Sequence, residues 1–146
     1  MSGPTDPAEG HFDKGLWGFD GTVWRKLQLL FGYHSIYREL VTVAHVGDGT
    51  YWHKLTAVPA NELWVINSIV TAANKAAAGM CALSVYEGAS FYHVKAVPSL
   101  AANTSLDVTG SFVLSVGMQV ACYYNTLAAN ATVNLYALGY KMKLNL

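Results

Sequence analysis

Short apolar runs, separated by turn-forming residues at regular intervals, occupy the chain from residue 40 to residue 146. Several runs alternate apolar and polar residues, which is the period of a half-buried β-strand. In one of them Met118 and Val120 share one face, and Gln119 lies on the other. Many short strands at this spacing predict an antiparallel β-sandwich or barrel. The predicted strands are Leu40–Val46, Thr50–Ala57, Leu63–Ala72, Met80–Glu87, Phe91–Ala96, Thr104–Val108, Phe112–Ser115, Met118–Asn125 and Thr132–Tyr140.

Residues 1–39 have a different character, because Gly and Pro residues interrupt them and aromatic residues recur between the interruptions. Gly and Pro break periodic structure, whereas aromatic side chains gain free energy only when they are buried. We therefore predict an extended N-terminal arm, residues 1–39, that packs on another molecule. The β-sandwich domain is expected to follow it as residues 40–146.

Within the arm, the Asp-Gly pair at positions 20 and 21 predicts a β-hairpin, because tight two-residue turns need the positive φ angles that Gly adopts readily. Such a turn would place Phe19 opposite Thr22 and bring Trp17 near Trp24. Isolated hairpins are only marginally stable in water. This one is therefore expected to lie against a sheet or a neighbouring chain.

The composition excludes several classes of protein. Charged residues make up 12% of the chain, against about 25% in an average soluble domain, and hydrophobic residues make up 53%, which excludes disorder as the main state. Nine Lys and Arg residues balance nine Asp and Glu residues, so no net charge favours a nucleic acid or an anionic membrane as partner. The N-terminus lacks the pattern of a signal peptide, so we expect synthesis in a host cytoplasm. Cys81 and Cys122 are accordingly expected to be buried free thiols.

The sequence shows no pattern typical of a catalytic or cofactor site. It lacks the Gly-x-Ser-x-Gly nucleophile turn and the Gly-rich phosphate loops. His45, His53 and His93 lie on or beside predicted strands, and His45 and His53 could meet across the turn at residues 47–49. A metal site on strands also needs a carboxylate close by, and no strand Asp or Glu completes the set. We therefore expect no catalytic residue, no metal, no cofactor and no enzymatic activity.

The aromatic residues divide into two predicted groups. Trp64, Tyr86 and Tyr124 lie on clear strands and are expected in the core. The aromatic residues of the arm have little core of their own, and Tyr, Trp and Arg dominate protein interfaces. The predicted partner-binding residues are Trp17, Phe19, Trp24, Arg25, Phe31 and Tyr33.

Two parts of the sequence resemble small bacteriophage virion proteins. Residues 18–27, Gly-Phe-Asp-Gly-Thr-Val-Trp-Arg-Lys-Leu, are similar to a module found near the N-termini of such proteins. Residues 58–69, where a Pro-Ala turn leads into a strand, and residues 110–120, with the pattern Gly-x-Phe-Val-Leu-x-x-Gly-x-x-Val, resemble small phage jelly-roll proteins. The resemblance covers most of the chain from residue 18 onward and implies that the β-sandwich is a jelly roll.

Proteins of this kind are typically trimers on the capsid surface, called decoration or cement proteins, or parts of tail and fibre assemblies. The resemblance therefore implies a non-enzymatic structural protein that stabilises a bacteriophage capsid by binding across its subunits. Its expected partners are the major capsid protein and two further copies of itself, and its expected location is the virion surface. The alternatives are a tail or fibre component that contacts host receptors, and a small cupin-like enzyme or lectin.

Overall fold

The computed structural model describes residues 17–19, 24–26 and 35–143, and all regular secondary structure in these ranges is β. The same ranges contain no helix long and apolar enough to cross a lipid bilayer. The strands are β1 (Trp17–Phe19), β2 (Trp24–Lys26), β3 (Ser35–Ala44), β4 (Gly49–Lys54), β5 (Glu62–Ala73), β6 (Cys81–Glu87), β7 (Ser90–Val97), β8 (Thr104–Leu114), β9 (Met118–Leu127) and β10 (Thr132–Lys143).

Strands β3 to β10 form two four-stranded antiparallel sheets. The first sheet has the order β3-β10-β5-β8, and the second has the order β4-β9-β6-β7. Each early strand pairs with its counterpart late in the chain: β3 with β10, β4 with β9, β5 with β8, and β6 with β7. This nested pairing is a long hairpin rolled into two layers, which defines a jelly roll. The predicted antiparallel β-sandwich is therefore confirmed.

Most strand ends differ from the predicted ones by one to three residues, and two differences are larger. Strand β3 begins at Ser35, five residues before the boundary expected at Leu40, and pairs along its whole length with β10. The segment 104–114, predicted as two strands with a turn at Gly110, is the single strand β8. Its register against β5 shifts where Gly110 and Ser111 lie opposite Asn67. The glycine therefore marks a β-bulge, which bends a strand without ending it.

The hairpin of the N-terminal segment forms with a different register from the one predicted. Strands β1 and β2 pair antiparallel with each other, Phe19 lies opposite Trp24, and Trp17 lies opposite Lys26. The predicted pairing of Phe19 with Thr22 is therefore wrong, and Trp17 lies two positions along the hairpin from Trp24 instead of directly across from it. A two-residue turn at the Asp-Gly pair would place Phe19 opposite Thr22, so the observed pairing of Phe19 with Trp24 does not fit that turn.

The core lies between the two sheets and is filled by inward side chains from both. Trp64 and Tyr124 are buried there, as predicted, and Tyr37 packs on Trp64 with 4.4 Å between ring centroids. The Tyr124 hydroxyl on the second sheet lies 2.9 Å from Thr71 Oγ1 on the first. Thr71 Oγ1 in turn donates to the carbonyl oxygen of Asn134 at 2.8 Å, so Tyr124 is the donor in the bond between the sheets.

Candidate functional site

The outer side of the second sheet has a floor of very small side chains. Ala82, Ser84 and Ala121 are fully buried, yet none of them belongs to the core between the sheets. Their neighbours along the strands, Leu83 and Cys122, point into that core. Because successive strand residues point to opposite faces, the three small residues must point outward. A second layer of side chains therefore covers this sheet from outside.

Five rings form that covering layer, and we call this layer the aromatic face. Trp52 is at its centre, with ring centroids 4.8 Å from Tyr123, 4.9 Å from Phe91, 5.7 Å from Tyr86 and 6.3 Å from His93. These separations lie mostly in the range of favourable aromatic contacts. The aromatic face therefore crosses all four strands of the sheet, from β4 to β7.

Strand register brings the members of the aromatic face together. Trp52 lies directly opposite Tyr123, and Tyr86 lies directly opposite Phe91. Tyr86, Tyr123 and His93 are each adjacent along their strands to a residue of the core between the sheets, so they project outward, and strand register places Trp52 and Phe91 beside them. Tyr86, predicted as a core residue, is therefore half-buried on the outer side of the sheet. The prediction failed because alternation reveals two faces of a strand but not which face meets the other sheet.

The aromatic face carries polar atoms at its rings. His93 Nδ1 lies 2.7 Å from Ser84 Oγ in the buried floor, and the proton position between them depends on the imidazole tautomer. Lys54 Nζ lies 3.4 Å from the ring centroid of Tyr86, a cation–π contact. The Trp52 indole N–H and the hydroxyls of Tyr86 and Tyr123 form no hydrogen bond with another described residue. As far as the described residues go, these atoms are left for water or for a ligand.

The outer side of the first sheet is aliphatic instead, and we call it the aliphatic face. Ile36 is 62% exposed, Leu40 60% and Val113 58%. Cross-strand pairing extends a row from Ile36 through Tyr140 and Val65 to Val113, across all four strands. The ends of this row are exposed, whereas Val65 within it is only 6% exposed. Exposed apolar residues grouped on one sheet face mark surfaces that contact other macromolecules.

His45 and His53 meet at one end of the sandwich, as their spacing around the turn predicted. Their Nε2 atoms lie 2.9 Å apart, and the ring of Tyr51 stacks on His45 with centroids 3.6 Å apart. Burial, together with the proximity of His45, lowers the pKa of His53. In the described ranges, no three His, Cys, Asp or Glu side chains are grouped so as to hold a metal ion.

The two cysteines are free thiols buried in the second sheet, as predicted. They lie on adjacent strands, β6 and β9, with Cys81 opposite Tyr124 and Cys122 opposite Leu83. Burial raises the pKa of Cys81 to about 11 and that of Cys122 to about 12, so neither is a reactive thiolate near neutral pH.

The six predicted partner-binding residues of the arm are described in part. Strands β1 and β2 place the backbone of four of them, and Gly18 pairs with Arg25 as Phe19 pairs with Trp24. The arm as a binding segment therefore stays a prediction. The residues concerned are Trp17, Phe19, Trp24 and Arg25, of which the backbone alone is described, and Phe31 and Tyr33, which lie outside the described residues.

The fold and the two outer surfaces define the structural class of this protein. It is a jelly-roll β-sandwich in which one sheet has an aromatic outer face and the other an aliphatic outer face. A scan of protein-family models finds no model that matches the chain, and a search of curated proteins finds no matching relative.

Proposed function

We propose that this chain is a virion structural protein that decorates a bacteriophage capsid. It binds across subunits of the major capsid protein as a homotrimer, and it performs no catalysis. Residues 18–27, 58–69 and 110–120 resemble small phage virion proteins, and this resemblance supports a place in the phage virion. The jelly roll is the architecture that this resemblance implies.

The aliphatic face is the observation that carries the proposal. Ile36 and Leu40 lie on β3, an edge strand, and both are about three-fifths exposed in the single chain. Burial of about 500 Å² of such surface would contribute roughly 12 kcal/mol before the costs of ordering and association. Strand β3 also follows directly on the N-terminal segment, so the arm and this face can engage the same neighbouring subunits. Several such contacts on one trimer would bind as a multivalent unit.

A reconstitution experiment tests the aliphatic face. Phage shells that lack this protein are mixed with the purified chain, and bound protein is measured after sedimentation. We expect Leu40→Asp to reduce binding at least about tenfold, because it places a charge in an apolar contact. Val116→Asp is the matched control, because Val116 is 61% exposed and lies in the turn between β8 and β9. Equal binding by the two variants would contradict the proposal.

Scattering mass in solution tests the homotrimer separately. The expected value is three times the chain mass of 15.8 kDa. If the purified protein has the mass of a monomer at the concentration that it reaches in cell lysates, this part of the proposal is contradicted. Copy number per virion then separates a capsid protein, present across the whole lattice, from a tail or fibre component, present in a few copies at one vertex.

The cupin-like alternative has one observation in its favour, which is the contact between His45 and His53. The test is metal content of the purified chain, compared with that of His45→Ala and His53→Ala. We expect no stoichiometric metal in the wild-type chain. Tight zinc, iron or manganese that is lost in both variants would support the enzyme and contradict the structural proposal.

A further inference from the structure

We propose that the aromatic face of the second sheet is a binding site for a saccharide, with a neutral oligosaccharide chain as the ligand. The inference is independent of the capsid proposal, because it uses the opposite sheet and none of the same residues.

The first argument is the chemistry of the surface. A pyranose ring has an apolar side formed by its C–H groups and a rim of hydroxyls. Its C–H side stacks on exposed aromatic rings, whereas its hydroxyls need donors and acceptors around those rings. Phe91 is 45% exposed at the rim of the aromatic face, and Trp52 and Tyr123 are partly exposed beside it. The face therefore offers ring surface over several strands, which suits an extended chain of sugar units.

The second argument is a set of polar atoms on the aromatic face that bind no other described residue. The indole N–H of Trp52 can only donate, and the hydroxyls of Tyr86 and Tyr123 can donate and accept. None of these three groups has a hydrogen-bond partner among the described residues. His93 uses Nδ1 on Ser84, which leaves Nε2 directed away from that contact. A mixed set of donors and acceptors beside apolar rings complements sugar hydroxyls.

The third argument distinguishes a saccharide from a protein as the occupant. Protein interfaces bury aliphatic as well as aromatic side chains, and the aliphatic face, with Ile36 and Leu40, offers exposed side chains that carry no polar atom. Four of the five rings of the aromatic face carry a polar atom at the edge, namely Trp52, Tyr86, His93 and Tyr123. The ammonium group of Lys54 already contacts the ring of Tyr86 at this face. A neutral ligand with both apolar and hydroxyl surface fits this face better than a charged or wholly apolar one.

The test is isothermal titration of the full chain with cellohexaose, maltohexaose, xylohexaose and chitohexaose, one at a time. We expect at least one of them to bind, with an affinity that changes little between low and high salt. Phe91→Ala should weaken that binding at least about fivefold, which corresponds to about 1 kcal/mol. The double variant Tyr86→Phe, Tyr123→Phe keeps the rings and removes the hydroxyls, so it should also weaken binding while leaving the fold intact.

Tyr92→Ala is the matched control. Tyr92 lies between Phe91 and His93 on β7 and is 59% exposed, but it points to the other side of the sheet from the aromatic face. We expect it to bind like the wild-type chain. Binding of none of the four hexasaccharides at millimolar concentration would overturn the proposal, and so would binding that Phe91→Ala leaves unchanged. Capture of phage shells that depends on Phe91 would assign the face to a protein and overturn it as well.

Discussion

The imidazoles of His45 and His53 face each other with 2.9 Å between their Nε2 atoms. At this distance one Nε2 must donate and the other must accept, so the pair tolerates at most one additional proton without losing the hydrogen bond. His53 is 7% exposed, and burial disfavours its charged form further. The contact joins the chain just after β3 to β4, and therefore links the edges of the two sheets.

The first prediction concerns stability against pH. Because burial and His45 lower the pKa of folded His53, the unfolded chain binds a proton more readily than the folded chain does. The stabilisation of the folded chain by neutral His53 is therefore fully present above the pKa of about 6.5 in the unfolded chain. This stabilisation is lost progressively as the pH falls below that pKa. Denaturant unfolding between pH 8 and pH 5 should show this decline. His53→Gln should show a smaller decline, and an identical pH dependence for both chains would contradict the prediction.

A second prediction concerns Gly139 at the irregularity between β10 and β5. A Cβ atom at this position would clash with the carbonyl oxygen of Val65 and lie 2.8 Å from Ile66 Cα. Backbone atoms cannot move away cheaply, so Gly139→Ala should cost about 3 kcal/mol or more in denaturant unfolding. Gly110→Ala is the control, because its Cβ would meet mainly the ring of Phe112 at 3.3 Å, and it should cost less than about 1 kcal/mol. Similar losses in the two variants would count against this account.

The third prediction concerns the cysteines. Cys81 and Cys122 are buried free thiols with raised pKa values, so a thiol reagent at neutral pH should modify neither in the folded chain. Both should react once denaturant unfolds the protein, and reductant should leave the melting temperature unchanged. Rapid labelling of the native chain, or a large drop in melting temperature on reduction, would refute the assignment.

The fourth prediction concerns the N-terminal arm. Removal of residues 1–34 leaves β3 complete, so we expect a folded β-sandwich that no longer binds phage shells. Removal of residues 1–38 also deletes Tyr37, which packs on Trp64. This longer truncation should therefore lower the free energy of unfolding by about 3–5 kcal/mol more. Circular dichroism and shell sedimentation check the two parts separately. Normal shell binding by the shorter truncation would refute the arm as an anchor.

A fifth prediction separates attachment from folding at a single side chain of the arm. Trp24→Ala should weaken shell binding more than it lowers the free energy of unfolding, because the arm is proposed to bury its aromatic residues on neighbouring chains. Shell sedimentation and denaturant unfolding measure the two quantities on the same variant. Equal losses in both would place Trp24 in the subunit's own core.

The sequence by itself determined the all-β class and most strand positions, because side-chain alternation has a fixed period of two residues and turn residues interrupt it. The contact between His45 and His53 could also be predicted, since a short turn between two strands is a local constraint. The turn expected at Gly110 and the register expected for Phe19 were wrong. In both cases the outcome depends on which residues of a partner strand lie opposite, and the local signal does not contain that information.

Only the tertiary structure decided which side of each sheet faces outward and what collects there. Tyr86, Phe91 and Tyr123 come from three strands, and nothing in their spacing along the chain shows that they surround Trp52. Tyr86 and Phe91 meet across a short turn, but their meeting with Tyr123 and Trp52 follows from the pairing of β9 with β6 and β4, which joins segments far apart in sequence. Periodicity is a property of neighbouring residues, whereas a surface shared by four strands is set by long-range register.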